Sequence, residues 1–175
     1  SLPAWACQTG AKLRKIPTSP CFGCYALKGN YTRYPAIKAA QYRRLDAIDN
    51  PLWVTAMVTQ IKRQKWFRWH DAGDLQSVDH MNKIIEVAKL TPDTQHWLPT
   101  QERQYLPKPE DVPANLIIRL SAAKVDGTAG NAWSHSSTVV TDGSASCAAP
   151  DQGGKCLDCR ACWDKSVANV SYGKH

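Results

Sequence analysis

The seven cysteines restrict the possible folds of this 175-residue chain more than any other feature, because they fall into two groups near its ends. An odd number excludes complete internal pairing, and seven in 175 residues is too sparse for a disulfide scaffold. With no recognisable signal segment, we expect a reducing cytoplasmic compartment, where clustered thiols bind metal more often than they form disulfides. The cysteines therefore predict a metal-binding protein. They are Cys7, Cys21, Cys24, Cys147, Cys156, Cys159 and Cys162.

The second group has the spacing of an iron–sulfur loop. Cys156, Cys159 and Cys162 are separated by two residues each, so that a tight loop can wrap one corner of a cubane cluster. We expect a 4Fe–4S cluster here, with a fourth thiolate from Cys147 or from the N-terminal group. Zinc is the alternative metal, because Cys21 with Cys24 and Cys159 with Cys162 could form a four-thiolate site. Buried free thiols are a third interpretation.

The first group, Cys7, Cys21 and Cys24, has two interpretations. Three thiolates leave one corner of a metal cluster open, as a reactive site requires. Alternatively, one of the three completes the C-terminal site and the others have no metal role. The sequence does not decide between them.

Hydrophobic periodicity predicts an α/β body between the two groups. The expected fold is a single domain, either a partial (β/α) barrel or an open, mainly parallel sheet, with cysteine-rich loops at both ends. We divide it into an N-terminal cysteine loop at 1–33, the body at 34–125, and a Ser/Gly-rich segment with the C-terminal cysteine loop at 126–175. Expected helices are 34–48, 51–61 and 78–90, and expected strands are 66–70, 95–99, 116–120 and 138–141.

Polar residues follow the ends of the expected strands. Ligands of parallel sheets collect at the carboxyl ends of the strands. We therefore predict a cofactor-binding pocket of Gly73, Asp74, Ser121 and His70. In the competing interpretation, Asp74 or Ser77 only caps the following helix, and His70 is structural.

A net charge of +7 permits contact with nucleic acid without demonstrating it. The basic residues occur in small groups, some near aromatic side chains, so binding to single strands is an alternative function. No run of apolar residues is long enough for a membrane span, and we expect no membrane partner.

Three sequence blocks resemble one family, the phage gene product 88 family, over nearly the whole chain. Gln8 and Ala148 depart from it, because proline is usual at both positions. The blocks are the opening Ser1-Leu2-Pro3-Ala4 with Cys7 and the run from Cys21 to Gly29, the central 67–74, and Cys147 with 156–163. The resemblance implies a phage or prophage origin, a location in the host cytoplasm and an iron–sulfur site.

The end of the first cysteine group, Cys24-Tyr25-Ala26, is more distantly similar to radical S-adenosylmethionine enzymes. That similarity implies S-adenosylmethionine as a cofactor, with Gly73 and Asp74 receiving its amino group. The 13-residue first gap and the short chain depart from that pattern. We thus predict an iron–sulfur protein with redox or radical chemistry that acts on a small-molecule ligand or a redox partner. The alternative is a structural zinc or iron–sulfur protein that binds nucleic acid or another protein.

Overall fold

Five parallel strands form one open, curled sheet whose spatial order follows the chain, β1-β2-β3-β4-β5. A computed structural model describes residues 1–174. The sequential order of parallel strands is that of half a barrel, which confirms the predicted α/β class. The strands are β1 (Trp66–Arg68), β2 (Gln95–Thr100), β3 (Leu116–Ser121), β4 (Ser136–Val140) and β5 (Asn169–Gly173).

Within residues 1–174, five α-helices accompany the sheet: α1 (Gln8–Leu13), α2 (Asn30–Arg33), α3 (Pro35–Asp46), α4 (Trp53–Ile61) and α5 (Val78–Leu90). The expected helix at 78–90 is confirmed, and Ser77 caps it by accepting a 3.0 Å hydrogen bond from the His80 amide. Helix α4 begins two residues later than expected, because Asn50 caps a preceding turn through the Leu52 amide. None of these helices, within residues 1–174, is long and apolar enough to cross a bilayer.

Other features also differ from the sequence expectation, among them β4, which spans Ser136–Val140 rather than 138–141. Residues 1–33 are not only loop, since they contain α1 and α2. Strand β5 was not expected at all. Strand β1 ends at Arg68 rather than His70, because His70 has a φ of 50° and leaves the extended conformation.

The two faces of the sheet have different partners. Leu98, Leu116 and Ile118 point to a helix-covered face, where they form the main core with α4 and α5. On α5, Ile84 is fully buried as expected, but Val78 is exposed although its spacing placed it inward. The alternate residues of the strands point to the opposite face, which the connection between β4 and β5 covers.

A buried histidine on the helix-covered face makes folding sensitive to acid. His96 accepts a hydrogen bond from Trp69 Nε1 at its Nδ1 and contacts the Thr91 hydroxyl at its Nε2. A protonated ring would lose the bond from Trp69. Burial lowers the pKa of His96 to about 4, and burial likewise lowers the pKa of His80 to about 4.

We therefore expect the melting temperature to fall as pH falls from about 6.5 towards 4, because the unfolded chain then binds protons that the folded chain excludes. Asp74 acts in the opposite direction over part of this range, since burial raises its pKa to about 6. Thermal melts at several pH values measure the balance. The drop should shrink in His96→Gln, and a melting temperature independent of pH in this window would contradict the expectation.

Candidate metal-binding sites

The four C-terminal cysteines line one small cavity. It lies in the connection between β4 and β5, on the sheet face opposite the helices. Apart from Ser146, the cavity walls between the thiols are apolar, formed by three alanines, Trp163 and Val170. Apolar walls restrict water around a bound cluster. The four cysteines are Cys147, Cys156, Cys159 and Cys162.

The sheet holds this connection at several points. The Cys147 amide donates to the Ser171 carbonyl of β5 at 3.0 Å. The Cys162 thiol shares a 3.3 Å hydrogen bond with the Tyr172 hydroxyl. Trp163 donates from Nε1 to the Phe67 carbonyl of β1 at 3.1 Å. The connection thus spans the open face of the sheet from β5 to β1.

Arg119, in the middle of β3, is the strongest anchor of the C-terminal loop. Its side chain is 0% exposed, and its guanidinium donates to five backbone carbonyls. Within residues 1–174 it forms no ion pair with a carboxylate. Burial lowers its pKa, but an arginine of this kind stays charged at neutral pH. The carbonyls belong to Ser136, Ala161, Cys162, Asp164 and Ala168.

The thiols as they stand do not form a preassembled site for a single ion. Among residues 1–174, no group of three or more His, Cys, Asp or Glu side chains is arranged to hold a metal ion. Sulfur ligands of one zinc ion lie about 3.8 Å apart, given Zn–S bonds of about 2.3 Å in a tetrahedron. The corners of a cubane cluster hold their sulfurs farther apart. Binding of either metal would therefore require the loop to rearrange.

The three N-terminal cysteines form a second, separate group. Cys7 lies at the amino end of α1, and Gly10 lies one turn further along that helix. A β-carbon placed on Gly10 would lie 3.7 Å from Cys7 Sγ and 3.9 Å from Cys21 Sγ. Cys24 follows Cys21 in a tight turn in which its amide donates to the Cys21 carbonyl.

Helix α1 is fixed to the carboxyl end of β2 by a buried carboxylate. Glu102 is 0% exposed, and it accepts hydrogen bonds from the amide and the hydroxyl of Thr9 at 2.8 and 2.6 Å. Gln8, where the family usually has proline, accepts a 2.6 Å hydrogen bond from the Tyr105 hydroxyl. The N-terminal thiols therefore lie at the edge of the sheet where ligands of parallel sheets bind.

Cys7 and Cys21 are poor acids, because both thiols have a raised pKa. Burial, followed by the charge of Asp74 and of the other two thiols, raises the pKa of Cys7 to about 12. Burial and Cys24 raise the pKa of Cys21 to about 11. Metal binding at these thiols would release protons, since the thiolate is the ligand.

Gly10→Ala should destabilise the protein although alanine is the better helix former by about 1 kcal/mol. The new β-carbon would lie 2.9 Å from the Cys7 β-carbon, so the first turn of α1 must shift. Thermal melts of the metal-free protein measure the effect. Gly173→Ala is the control, because a β-carbon there meets nothing within 4 Å. A melting temperature raised by Gly10→Ala would contradict this packing.

Asp74 joins the loop after β1 to the end of β2. Its carboxylate is 8% exposed and accepts from the Leu75 amide, the Thr100 hydroxyl and the Gln101 amide at 2.6–2.8 Å. The interpretation of Asp74 as the helix cap is wrong, because Ser77 caps α5. Its predicted role towards a ligand stays a prediction.

The structure does not gather the other predicted pocket residues into one cavity. At Gly73 the space that we expected a ligand to use is occupied by Leu2, whose carbonyl oxygen would lie 2.8 Å from an added β-carbon. His70 packs against His80 with ring centres 5.3 Å apart, and its buried Nδ1 has no partner among residues 1–174. Burial holds the pKa of His70 well below its usual value. The Ser121 hydroxyl bonds to the Ser137 hydroxyl at 3.0 Å.

The fold and these sites define an α/β protein in which a half-barrel of parallel strands carries two separate groups of cysteines. The chain belongs to the Gene product 88 family, whose model matches residues 3–165, and this confirms the phage family that its motifs resemble. Searches of curated proteins and of solved structures find no significant match.

Sequence reasoning missed the positioning residues of both sites. Arg119 lies within the aliphatic residues of the expected strand at 116–120. A charged residue inside such an aliphatic run indicates a buried hydrogen-bonding role, and the sequence analysis did not draw that inference. The sequence does not reveal the contacts of Gly10 and Glu102. Gly10 approaches Cys21 only in the folded chain, and Glu102 accepts hydrogen bonds from Thr9, which is 93 positions away.

Proposed function

We propose that this protein is an iron–sulfur protein whose C-terminal cysteine loop binds a 4Fe–4S cluster. The observation that carries the proposal is the convergence of Cys147, Cys156, Cys159 and Cys162 on one apolar cavity. Cubane clusters are commonly bound by four thiolates, so the donor set fits the group.

The charge at this cavity also fits an anionic occupant. Four thiolates carry more negative charge than the iron–sulfide core of an oxidised cluster carries positive charge, so the assembled site is negative. Arg119 offers a buried positive charge that no carboxylate within residues 1–174 neutralises by direct contact. Its Nε donates to the Cys162 carbonyl at 3.0 Å, which places the cation beside a ligand residue. A buried charge is retained at lower cost when an opposite charge is close to it.

A cluster with four protein thiolates supplies one-electron transfer and leaves no iron free for a substrate. The protein then shields the cluster from water and places a positive charge beside it. Trp163 and Val170 restrict water at the cavity, and the charge of Arg119 favours the more negative, reduced state of the site. The function that the site supports best is therefore electron transfer or redox sensing.

Anaerobic reconstitution with iron and sulfide tests the proposal. We expect broad absorption at the blue end of the visible spectrum that bleaches when dithionite reduces the protein. In the double variant Cys156→Ser/Cys159→Ser, the absorption per chain should fall by the contribution of one cluster. Both side chains are exposed, so serine at these positions should leave the metal-free fold intact.

Leu157→Asn is the matched control, because it changes the same loop without removing a thiol. Leu157 is exposed and has a φ of 45°, a conformation that asparagine tolerates. The absorption of the Leu157→Asn variant should equal that of the parent protein. Equal absorption in the parent and the double variant, or zinc bound in place of iron, would refute the proposal.

A further inference from the structure

The first 45 residues supply the positive net charge of the whole chain. They contain eight lysines and arginines and no aspartate or glutamate, whereas residues 46–175 contain 14 basic and 15 acidic side chains. A surface that contacts only solvent usually mixes charges of both signs. An acid-free segment that is folded rather than a single run of charge indicates a surface that faces a polyanion. The basic residues, all exposed except Arg14, are Lys12, Arg14, Lys15, Lys28, Arg33, Lys38, Arg43 and Arg44.

The same segment carries the exposed aromatic rings. Five rings in it are 38–60% exposed, while the other ten Trp, Tyr and Phe rings of residues 1–174 are buried or half-buried. Large apolar side chains gathered on a surface mark an interaction site. Every nucleobase offers a face on which such a ring can stack, whatever the base sequence. The five are Trp5, Phe22, Tyr25, Tyr34 and Tyr42.

Contacts within the fold join several of these rings and cations. The Arg14 guanidinium lies 5.0 Å from the centre of the Trp5 ring and donates to the Ala4 carbonyl at 3.1 Å. Tyr31 of α2 packs against the small buried cluster that contains Ala4. The rings of Tyr31 and Tyr25 are 5.8 Å apart. A continuous set of contacts therefore runs from Trp5 to α2.

Helix α3 borders an open groove beside α2. The groove has a volume of about 500 Å³, and its lining includes Tyr31 together with Ile37 and Arg44, which lie on one face of α3. Only one of the twelve residues of α3 is buried, so the helix is largely free of packing partners within residues 1–174. Asp71 is the one carboxylate in the groove lining; it accepts a 3.1 Å hydrogen bond from the Tyr31 hydroxyl and pairs with the Ser1 amino group at 3.2 Å.

We propose that this N-terminal surface binds single-stranded nucleic acid, and that the groove beside α3 takes one of its nucleotides. The cations bind phosphates and the exposed rings stack on bases. The groove offers an apolar wall at Ile37 for a base and a guanidinium at Arg44 for a phosphate. An acidic protein would use the cations but would give the rings no base to stack on. No thiol takes part, so this binding does not depend on the proposed iron–sulfur function.

Fluorescence anisotropy with a labelled oligothymidine of about 20 nucleotides tests the surface on the whole chain. Arg43→Gln/Arg44→Gln should weaken binding by about tenfold or more near 0.1 M salt. The slope of log affinity against log salt should become shallower by about 1.4, since each phosphate contact on a single strand contributes about 0.7. The matched control is Lys62→Gln/Arg63→Gln, which removes two adjacent exposed cations outside residues 1–45. Its affinity and slope should stay close to those of the parent.

Trp5→Leu tests stacking, because leucine keeps an apolar side chain but has no ring face. The affinity should fall by about fivefold or more while the salt slope stays unchanged. The melting temperature should stay close to that of the parent, since Trp5 is 57% exposed. Oligouridine of the same length distinguishes RNA from DNA as the preferred strand. A duplex of the same length should bind more weakly, because its bases are already stacked and paired.

Four results would overturn the inference. Equal loss of affinity in the two charge variants, or parental affinity in Trp5→Leu, would show attraction of charge without a defined surface. Equal affinity for the duplex would exclude recognition of unpaired bases. Competition by polyglutamate as strong as that by unlabelled oligothymidine would favour an acidic protein partner. Binding to phosphatidylglycerol vesicles without binding to either oligonucleotide would favour a membrane surface.

Discussion

In Cys156→Ser/Cys159→Ser, the reconstituted protein should melt well below the reconstituted parent, while the two metal-free proteins should melt together. Both cysteines are exposed, so that serine removes no packing and the difference reports the lost metal alone. A cluster that ties Cys147 to Cys162 closes a loop of about 15 residues, worth about 3 kcal/mol in the chain-entropy model. For a chain of this size that corresponds to about 6–12 °C.

Thermal melts followed by circular dichroism, with and without iron and sulfide, give the four values that this comparison needs. Leu157→Asn controls for changes in the loop and should gain as much from reconstitution as the parent. If the parent gains no stability from reconstitution although it takes up the cluster, the site is independent of the fold and this expectation is wrong.

Arg119→Leu should destabilise the metal-free protein by about 3 kcal/mol or more, and should leave much of it insoluble. The substitution removes the guanidinium donors from five carbonyls on the sheet and the C-terminal loop, of which those of Ala161, Asp164 and Ala168 keep a backbone N–H donor. Each buried acceptor left without a partner costs about 1–3 kcal/mol. Arg119→Lys should be intermediate, because an ammonium keeps the charge but has at most three donors.

Chemical denaturation of the metal-free variants measures these differences. Arg43→Leu is the control, since Arg43 is exposed on α3 and should change stability by no more than about 0.5 kcal/mol. A free energy of unfolding for Arg119→Leu close to that of the parent would show that the carbonyls find other partners. The anchoring role assigned to Arg119 would then be incorrect.

Local sequence patterns predicted the secondary-structure elements that depend on neighbouring residues. Helix α5 has apolar residues at helical spacing and a serine at its start, and both signals were correct. The aliphatic run of β3 was also recognised. Cys156, Cys159 and Cys162 line the same small cavity because a short loop holds them close together, and their role as metal ligands stays a prediction.

The elements that were missed depend on distant contacts. Helix α1 contains Thr9 and Gly10, which are weak helix formers, and its first turn is held by Glu102 from 93 positions away. Strand β5 is short and polar, and it forms by pairing with β4 after a long connection. Gly73 was expected to admit a ligand, but its missing side chain admits Leu2, which no local pattern reveals.

The content of iron, acid-labile sulfide and zinc in protein purified without oxygen decides most directly whether a cluster is bound. We expect iron and sulfide in equal amounts, at least about four of each per chain, and about four fewer of each in Cys156→Ser/Cys159→Ser. One zinc ion per chain with no acid-labile sulfide, lost in the same variant, would contradict this expectation and would make the C-terminal cavity a structural zinc site.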